Sequence, residues 1–397
     1  MITKTKARSG LYYTGILLAT ISSSLVGRTY LFLIPHFNPM LKFGALICFL
    51  LLFMIKKWKR KKLIQSVAII IVILIVAVVT DSNMLLIYIF AIVLSKPGDF
   101  NNICRFLFWS NLFIFIAVIG MCGIGLLNDE ITIHNGLSAH SLGYAYYNSP
   151  AYIVLFLTII AYYLYSGKRH TKRRIFFFII STVVNYVIYK LTTVRLTMYI
   201  YIILIGLIIL YDYIGLIKKT KFNRILATVM YPGMFLLSVI IPFVYSRSSY
   251  LIKLDSILNG RFYFGKEGFT RYNVNLFGNH IITDTGGFDE NWHNTYFFID
   301  SGYVKTLLGY GIITCFVVLF VYVLCSRYAA EHRNTKLFIW CILVCIFAFI
   351  NDPLTDIILN PLLFITIPMI HDMRMERKMA IISRQRIKRG LVPKINI

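Results

Sequence analysis

The stretch "LIQSVAIIIVILIVAVVT", Leu63–Thr80, carries no charged residue from end to end. A bilayer core about 30 Å thick is crossed by about 20 such residues in a helix, and runs of this kind recur along the whole chain. Hydrophobic residues make up 58% of the sequence and charged ones 14%. A soluble core does not bury so many uninterrupted apolar runs, so the fold class is all-α and polytopic, a single integral membrane domain over residues 1–397.

The net charge of +25 is distributed as short basic clusters between the apolar runs: "KKWKRKK" (56–62), "GKRHTKRR" (167–174), "KKTKFNR" (218–224) and the tail from Arg374. Clusters alternating with spans are the positive-inside pattern that sets orientation in a membrane. That distribution argues against a nucleic-acid partner and makes membrane lipids the expected surroundings. The first span follows "MITKTKARSG" without a small-residue cleavage site and reads as a retained helix.

With the basic clusters inside, twelve spans are expected, at 11–27, 37–55, 63–80, 83–96, 104–127, 149–166, 175–193, 196–213, 225–245, 302–325, 337–351 and 354–370. The fourth and eleventh are short for a full crossing, and Pro353 lies between the last two. Both termini are then cytoplasmic, with a basic tail over 371–397. Two outer segments exceed a turn, 128–148 and 246–301. The seven cysteines are dispersed through the apolar spans, which suits neither a disulfide framework nor a zinc site; Cys341 and Cys345 share a helical face and read as packing residues.

Within the second outer segment, "LNGRFYFGKEGFTRYNVNLFGNHIITDTGGFDENWHNTYFFIDSGYVKTLLGYG" (Leu258–Gly311) departs from the surrounding composition. Aromatic residues interleave with Asn, Asp and Gly, which suits carbohydrate: sugar rings stack on aromatic faces, and hydroxyls need hydrogen-bond partners. Loops of this length are commonly functional, and the aromatic content predicts order. The plainer reading is a cap that seals the end of the bundle.

Several side chains here and nearby could carry chemistry. Arg195 opens the eighth span close to the outer boundary, where an ionisable residue marks a substrate path or snorkels to the headgroups. Arg261 and Arg271 lie in the loop, and guanidinium groups present paired donors to the phosphates of a lipid-linked diphosphate. Arg247 reads as a snorkelling residue, and Arg28 as a position outside the site where Lys should serve as well. His280, His293 and Asp300 precede the tenth span, and His or a carboxylate can take the proton from an attacking sugar hydroxyl. Asp284, Asp289 and Glu290 have no spacing that fits a calcium loop, so no metal and no cofactor are expected. In the first outer segment, "HNGLSAHSLGYAYYNSP" offers His134 and His140, with Asn148 and Pro150 suited to a helix start. The two segments are placed to close over one site.

The ensemble of "HSLGYAYYNSPAYIVLF" before the sixth span, "YKLTTVRLTMYIYI" at the eighth, and "LNGRFYFGKEGF…LFGNH" followed by "FIDSGYVKTLLGYGIIT" resembles the Wzy-type polymerases of bacterial surface polysaccharides. The resemblance covers essentially the whole chain, and each motif within it is loose. It implies a GT-C-like architecture shared with O-antigen ligases, and a glycosyltransferase that joins undecaprenyl-diphosphate-linked oligosaccharides at the outer face of a bacterial cell membrane. It also implies a flippase and a chain-length regulator as pathway partners. The diphosphate-binding role of that family's arginines carries over to Arg195 and Arg261, while the proton acceptor stays open between His293 and Asp300. A ligase shares nearly every feature. A transporter of the same lipid-linked sugars is the other class of reading; it would show related halves and interrupted helices, and the sequence has no related halves and few ionisable groups deep in its spans.

Overall fold

A computed structural model describes residues 2–134, 136–167, 171–282, 297–375 and 379, with backbone alone for 2–6 and 134. Among them nine helices are long and apolar enough to cross a membrane. They include α1 (Ile2–Thr20, prolonged by π and 3-10 turns to Arg28), α2 (Phe37–Ile55), α3 (Arg60–Thr80), α5 (Phe100–Gly123), α6 (Asn148–Tyr165) and α7 (Lys172–Thr192). The others are α8 (Arg195–Ile208, prolonged to Tyr213), α9 (Thr220–Val244) and α12 (Gly302–Glu331). Two shorter apolar helices, α4 (Asn83–Leu94) and α13 (Thr335–Ile350), match the two short spans of the sequence reading. The protein is a polytopic, helical membrane protein.

Burial sorts the helices into centre and rim. In α6, 67% of the apolar window is buried inside the protein, against 17% in α3. Lipid offers no hydrophobic driving force between helices, so a rim helix such as α3 keeps its Ile, Leu and Val outward at no cost. The centre is made by α6 and α13, where α13 packs against α6, α8, α9 and α12. Trp340, Phe338, Cys341 and Cys345 are fully or almost fully buried there, which gives the two cysteines their packing role.

The connections alternate between two ends of the bundle. The basic clusters at 56–62, 172–174 and 218–224 fall at one end. At the other, the first loop forms a hairpin, β1 (Ile131–His134) and β2 (Leu137–His140), the single departure from an all-α fold among the described residues. The second loop begins with two short helices, α10 (Ser249–Ile257) and α11 (Arg261–Arg271), then runs extended to 282. As expected, α6 starts at Asn148 with Pro150 in its first turn.

The twelfth span departs from expectation. Residues 351–360 are irregular and mostly buried, followed by a 3-10 turn at Pro361–Ile365 and a helix over 366–375. Irregular backbone at this depth is tolerated only where protein groups satisfy it. Here they do. Asn111 donates to the Ile358 carbonyl at 3.0 Å, Tyr322 to that of Leu354 at 3.0 Å, and Asn360 to that of Pro353 at 2.9 Å. Asn360 is itself held by the Trp340 indole at 3.1 Å.

A second interruption falls in α12, where Gly311 has φ 84° and ψ 171°. The segment 275–279 fills the break. The amide of Ile312 donates to the Asn275 carbonyl at 3.0 Å, that of Ile313 to Leu276 at 3.3 Å, and that of Asn279 to Gly309 at 3.2 Å. The Asn279 side chain reaches the Leu308 carbonyl at 2.8 Å. The "LFGNH" and "GYG" pieces of the sequence thus form one joint.

Candidate functional site

Both interruptions lie at the loop end of the bundle, beside three ion pairs. Arg261 pairs with Asp300 at 2.8 Å, Lys305 with Asp352 at 3.0 Å, and Arg28 with Asp356 at 2.7 Å. They come from four parts of the chain: the end of the first span, the start of α11, the entry to α12 and the irregular 351–360 segment. Bare charge is too costly here to persist, so each cation meets a carboxylate.

The Arg261–Asp300 pair is the most enclosed, with each side chain 10% exposed. It forms because Gly260, at φ 75°, turns the chain into α11, and because Asp255 accepts the Phe262 amide at 2.7 Å. Arg261 also donates to the Ile350 carbonyl at 3.2 Å, which ties α11 to the end of α13. Tyr147 and Tyr152, from the first loop and the start of α6, interact with Arg261 and Asp300. Tyr147 thus brings the end of the first loop within electrostatic reach of the second. Burial raises the Asp300 carboxyl above its ordinary value, against the opposing pull of Arg261 and Lys305.

The second pair sits beside the first, since the Gly302 amide donates to the Asn351 carbonyl at 2.8 Å. Asp356 also accepts from the amides of Ile358 and Leu359 at 3.1 and 3.3 Å, so it closes the turn that orients it. Tyr88 and Tyr310 lie within electrostatic reach of these charges, Tyr88 near Asp356 and Arg28, Tyr310 near Lys305. Four buried polar atoms around the cluster have no hydrogen-bond partner: Arg28 Nε, Asp352 Oδ1, the Tyr144 hydroxyl and Ser301 Oγ.

None of the other candidates has a described contact with this cluster, and some lie beyond the described residues. His293, with Asp284, Asp289 and Glu290, lies outside the described residues. Arg195 is exposed at the start of α8, and no described contact ties it to the ion pairs. Arg271 bonds Glu267 at 2.8 Å and lies 4.3 Å over the Phe297 ring, a surface arrangement on α11. His280 is exposed, with its Nδ1 3.4 Å from the Thr80 carbonyl. His140 pairs with Asp129 at 2.6 Å across the base of the hairpin, and Asp129 is held below the ordinary carboxylate range: bonds from His140 and the Leu142 amide outweigh its partial burial. That pair closes the first loop.

Sequence reasoning missed Arg28, Lys305, Asp352 and Asp356. Arg28, expected above as a position outside the site, pairs with Asp356, which stands 328 residues away. "ND" before Pro353 and "TD" after it were the available signal, since acids inside an apolar run need a cation.

Compared with family models, curated proteins and solved structures, the chain matches none of them.

Proposed function

We propose that this protein polymerises undecaprenyl-diphosphate-linked oligosaccharide repeat units at the outer face of a bacterial cell membrane. The observation that carries the reading is the enclosed Arg261–Asp300 pair, where a cation suited to a diphosphate touches a carboxylate suited to take a proton. An arriving diphosphate competes for Arg261. Asp300 then loses its counter-charge and becomes the stronger base as the leaving group gains its cation.

In this reaction the acceptor hydroxyl oxygen attacks the anomeric carbon of the donor sugar. The bond from that carbon to the phosphate oxygen breaks, and its electron pair leaves with undecaprenyl diphosphate. Arg261 stabilises the charge that develops there, and the hydroxyl proton goes to Asp300, with no step requiring a metal. The GT-C-like comparison and the outward orientation of the loop end belong to the same reading, which the position of the basic clusters at the opposite end supports. A ligase differs only in its acceptor.

The test is reconstitution in liposomes with a lipid-linked oligosaccharide, reading product length on a gel. Unaltered protein should yield a ladder, and Asp300→Asn and Arg261→Lys should leave single units. A full ladder from Asp300→Asn would remove the carboxylate from the chemistry.

One observation favours a second reading, a carrier of lipid-linked oligosaccharide. Both α12 and the last crossing are interrupted, a device of transporters. Movement of a fluorescent lipid-linked oligosaccharide across the liposome bilayer, with no change in its length, would select it.

A further inference from the structure

The two ion pairs beside Arg261 and Asp300 have no part in the chemistry proposed above. Arg28 and Asp356 are 22% and 18% exposed, and Lys305 and Asp352 are 32% and 15% exposed, so all four side chains are partly open. They bring two cations and two carboxylates to the loop end of the bundle, with Asp352 and Asp356 four residues apart in one irregular segment. A diphosphate is a poor occupant, because Asp352 and Asp356 already neutralise the cations and would repel it. A hydroxyl group suits the paired charges better, since it donates one hydrogen bond and accepts others.

The unfilled atoms have the same mixed character. Arg28 Nε can only donate, the second oxygen of Asp352 can only accept, and the hydroxyls of Tyr144 and Ser301 can do either. An anion would satisfy the donors and leave Asp352 Oδ1 worse off. Tyr144 and Ser301 are nine-tenths buried or more, which leaves them short of partners unless something polar enters. Three partly exposed tyrosines lie close by: Tyr88 within electrostatic reach of Arg28 and Asp356, Tyr310 of Lys305, and Tyr147 of Arg261 and Asp300. Aromatic faces beside paired donors and acceptors match a sugar ring and its hydroxyls.

We infer that Arg28, Asp356, Lys305 and Asp352 form a neutral-glycan subsite that holds sugar residues of a substrate next to the Arg261–Asp300 pair. The inference rests on the glycosyl-transfer reading for what happens next door, and on the ion pairs and unpartnered atoms for what binds. Diphosphate recognition then belongs to Arg261, and the sugar chain is positioned by the two outlying pairs. Asp352 acts within electrostatic reach of Asp300, so a sugar bound at one is adjacent to the other.

The experiment separates the two ligand chemistries by the sign of one substitution. Purified full-length protein is screened on an array of neutral oligosaccharides, and the best binder and inorganic pyrophosphate are each titrated by calorimetry. Asp352→Asn should weaken the oligosaccharide about tenfold, the loss of one charge-assisted hydrogen bond, while pyrophosphate binding stays level or strengthens. Lys305→Gln should weaken the oligosaccharide and spare pyrophosphate. Arg261→Lys should do the reverse. Size-exclusion profiles and melting temperatures check that each variant is folded, and Lys305→Gln serves where Asp352→Asn does not fold.

No oligosaccharide binding by the unaltered protein, or pyrophosphate affinity that falls with Lys305→Gln, overturns the inference. Glycan binding that depends on Asp352 in a protein that makes no polymer would keep the subsite and sink the polymerase. A ladder that requires Asp300, with oligosaccharide affinity indifferent to Asp352, would do the opposite.

Discussion

Gly278 and Gly311 meet backbone to backbone, and a Cβ built on either would overlap main-chain atoms of the other's segment. Gly311 also sits at φ 84° and ψ 171°, a region open essentially to glycine alone. The contact allows the loop at 275–279 to supply hydrogen bonds that a broken α12 cannot make for itself. It holds the second loop onto the helix that carries Lys305.

Gly311→Ala should therefore release the loop. The strained backbone costs about 1–3 kcal/mol before the overlap is counted. Hydrogen exchange in detergent should rise at the amides of Ile312, Ile313 and Asn279, with Gly278→Ala giving the same pattern. Unchanged protection at those three amides would mean that α12 closes without the loop.

The pair between Arg28 and Asp356 predicts coupled stability. Removing one member leaves a mostly buried charge without its partner, a loss of roughly 3 kcal/mol. Arg28→Ala and Asp356→Ala should each lower the melting temperature of the purified protein, and the double variant should lose less than their sum. Strict additivity would show the pair to be incidental.

The raised carboxyl of Asp300 sets the sign of a pH dependence. Only its ionised form accepts a proton, so polymerisation in liposomes should fall as the pH drops through its folded-state value. That value lies above the ordinary carboxylate near 3.9, because burial disfavours the charge. Arg261 pulls the other way, so Arg261→Gln should move the acid limb of the remaining activity to higher pH. A limb that moves to lower pH, or does not move, would show that Asp300 is not the titrating group.

How far the sequence reaches can be judged from particular residues. Apolar runs bounded by basic clusters locate α1 through α9, α12 and α13, because crossing a membrane demands length and little else. The tract 354–370 has that length too and is not a helix throughout. Its backbone partners are Asn111, Tyr322 and Asn360, two of them on other helices, and no periodicity reports a bond made from a distant span. Arg261 and Asp300 were legible as loop residues of the right chemistry. Their contact was not, since it depends on α11 docking at the end of α13. Arg28 looked ordinary because its partner is read only at the far end of the chain.

Orientation is open to direct labelling. Lys266 on α11 and Lys59 within the first basic cluster are both exposed and lie at opposite ends of the bundle. In a cysteine-free variant, a single Cys at 266 should react with an impermeant maleimide on intact cells, and one at 59 only after lysis. The reverse pattern would put the ion pairs on the cytoplasmic side, against the polymer synthesis at the outer face proposed above.

The last prediction separates Arg195 from Arg261. Arg195 is exposed at a helix start near the membrane boundary, where the long stem of Lys reaches the headgroups as well as that of Arg. Arg261 is enclosed and makes directed bonds to Asp300 and to the Ile350 carbonyl, which the single ammonium of Lys cannot reproduce together. Arg195→Lys should therefore make polymer of ordinary length. Arg261→Lys should reach the membrane at ordinary abundance and yet lose on the order of a hundredfold in rate, the cost of a charge-assisted contact made mainly in the transition state. Immunoblots of membranes beside polymer gels give both readings. Single repeat units from Arg195→Lys at full abundance would return that residue to the proposed diphosphate site despite its exposure.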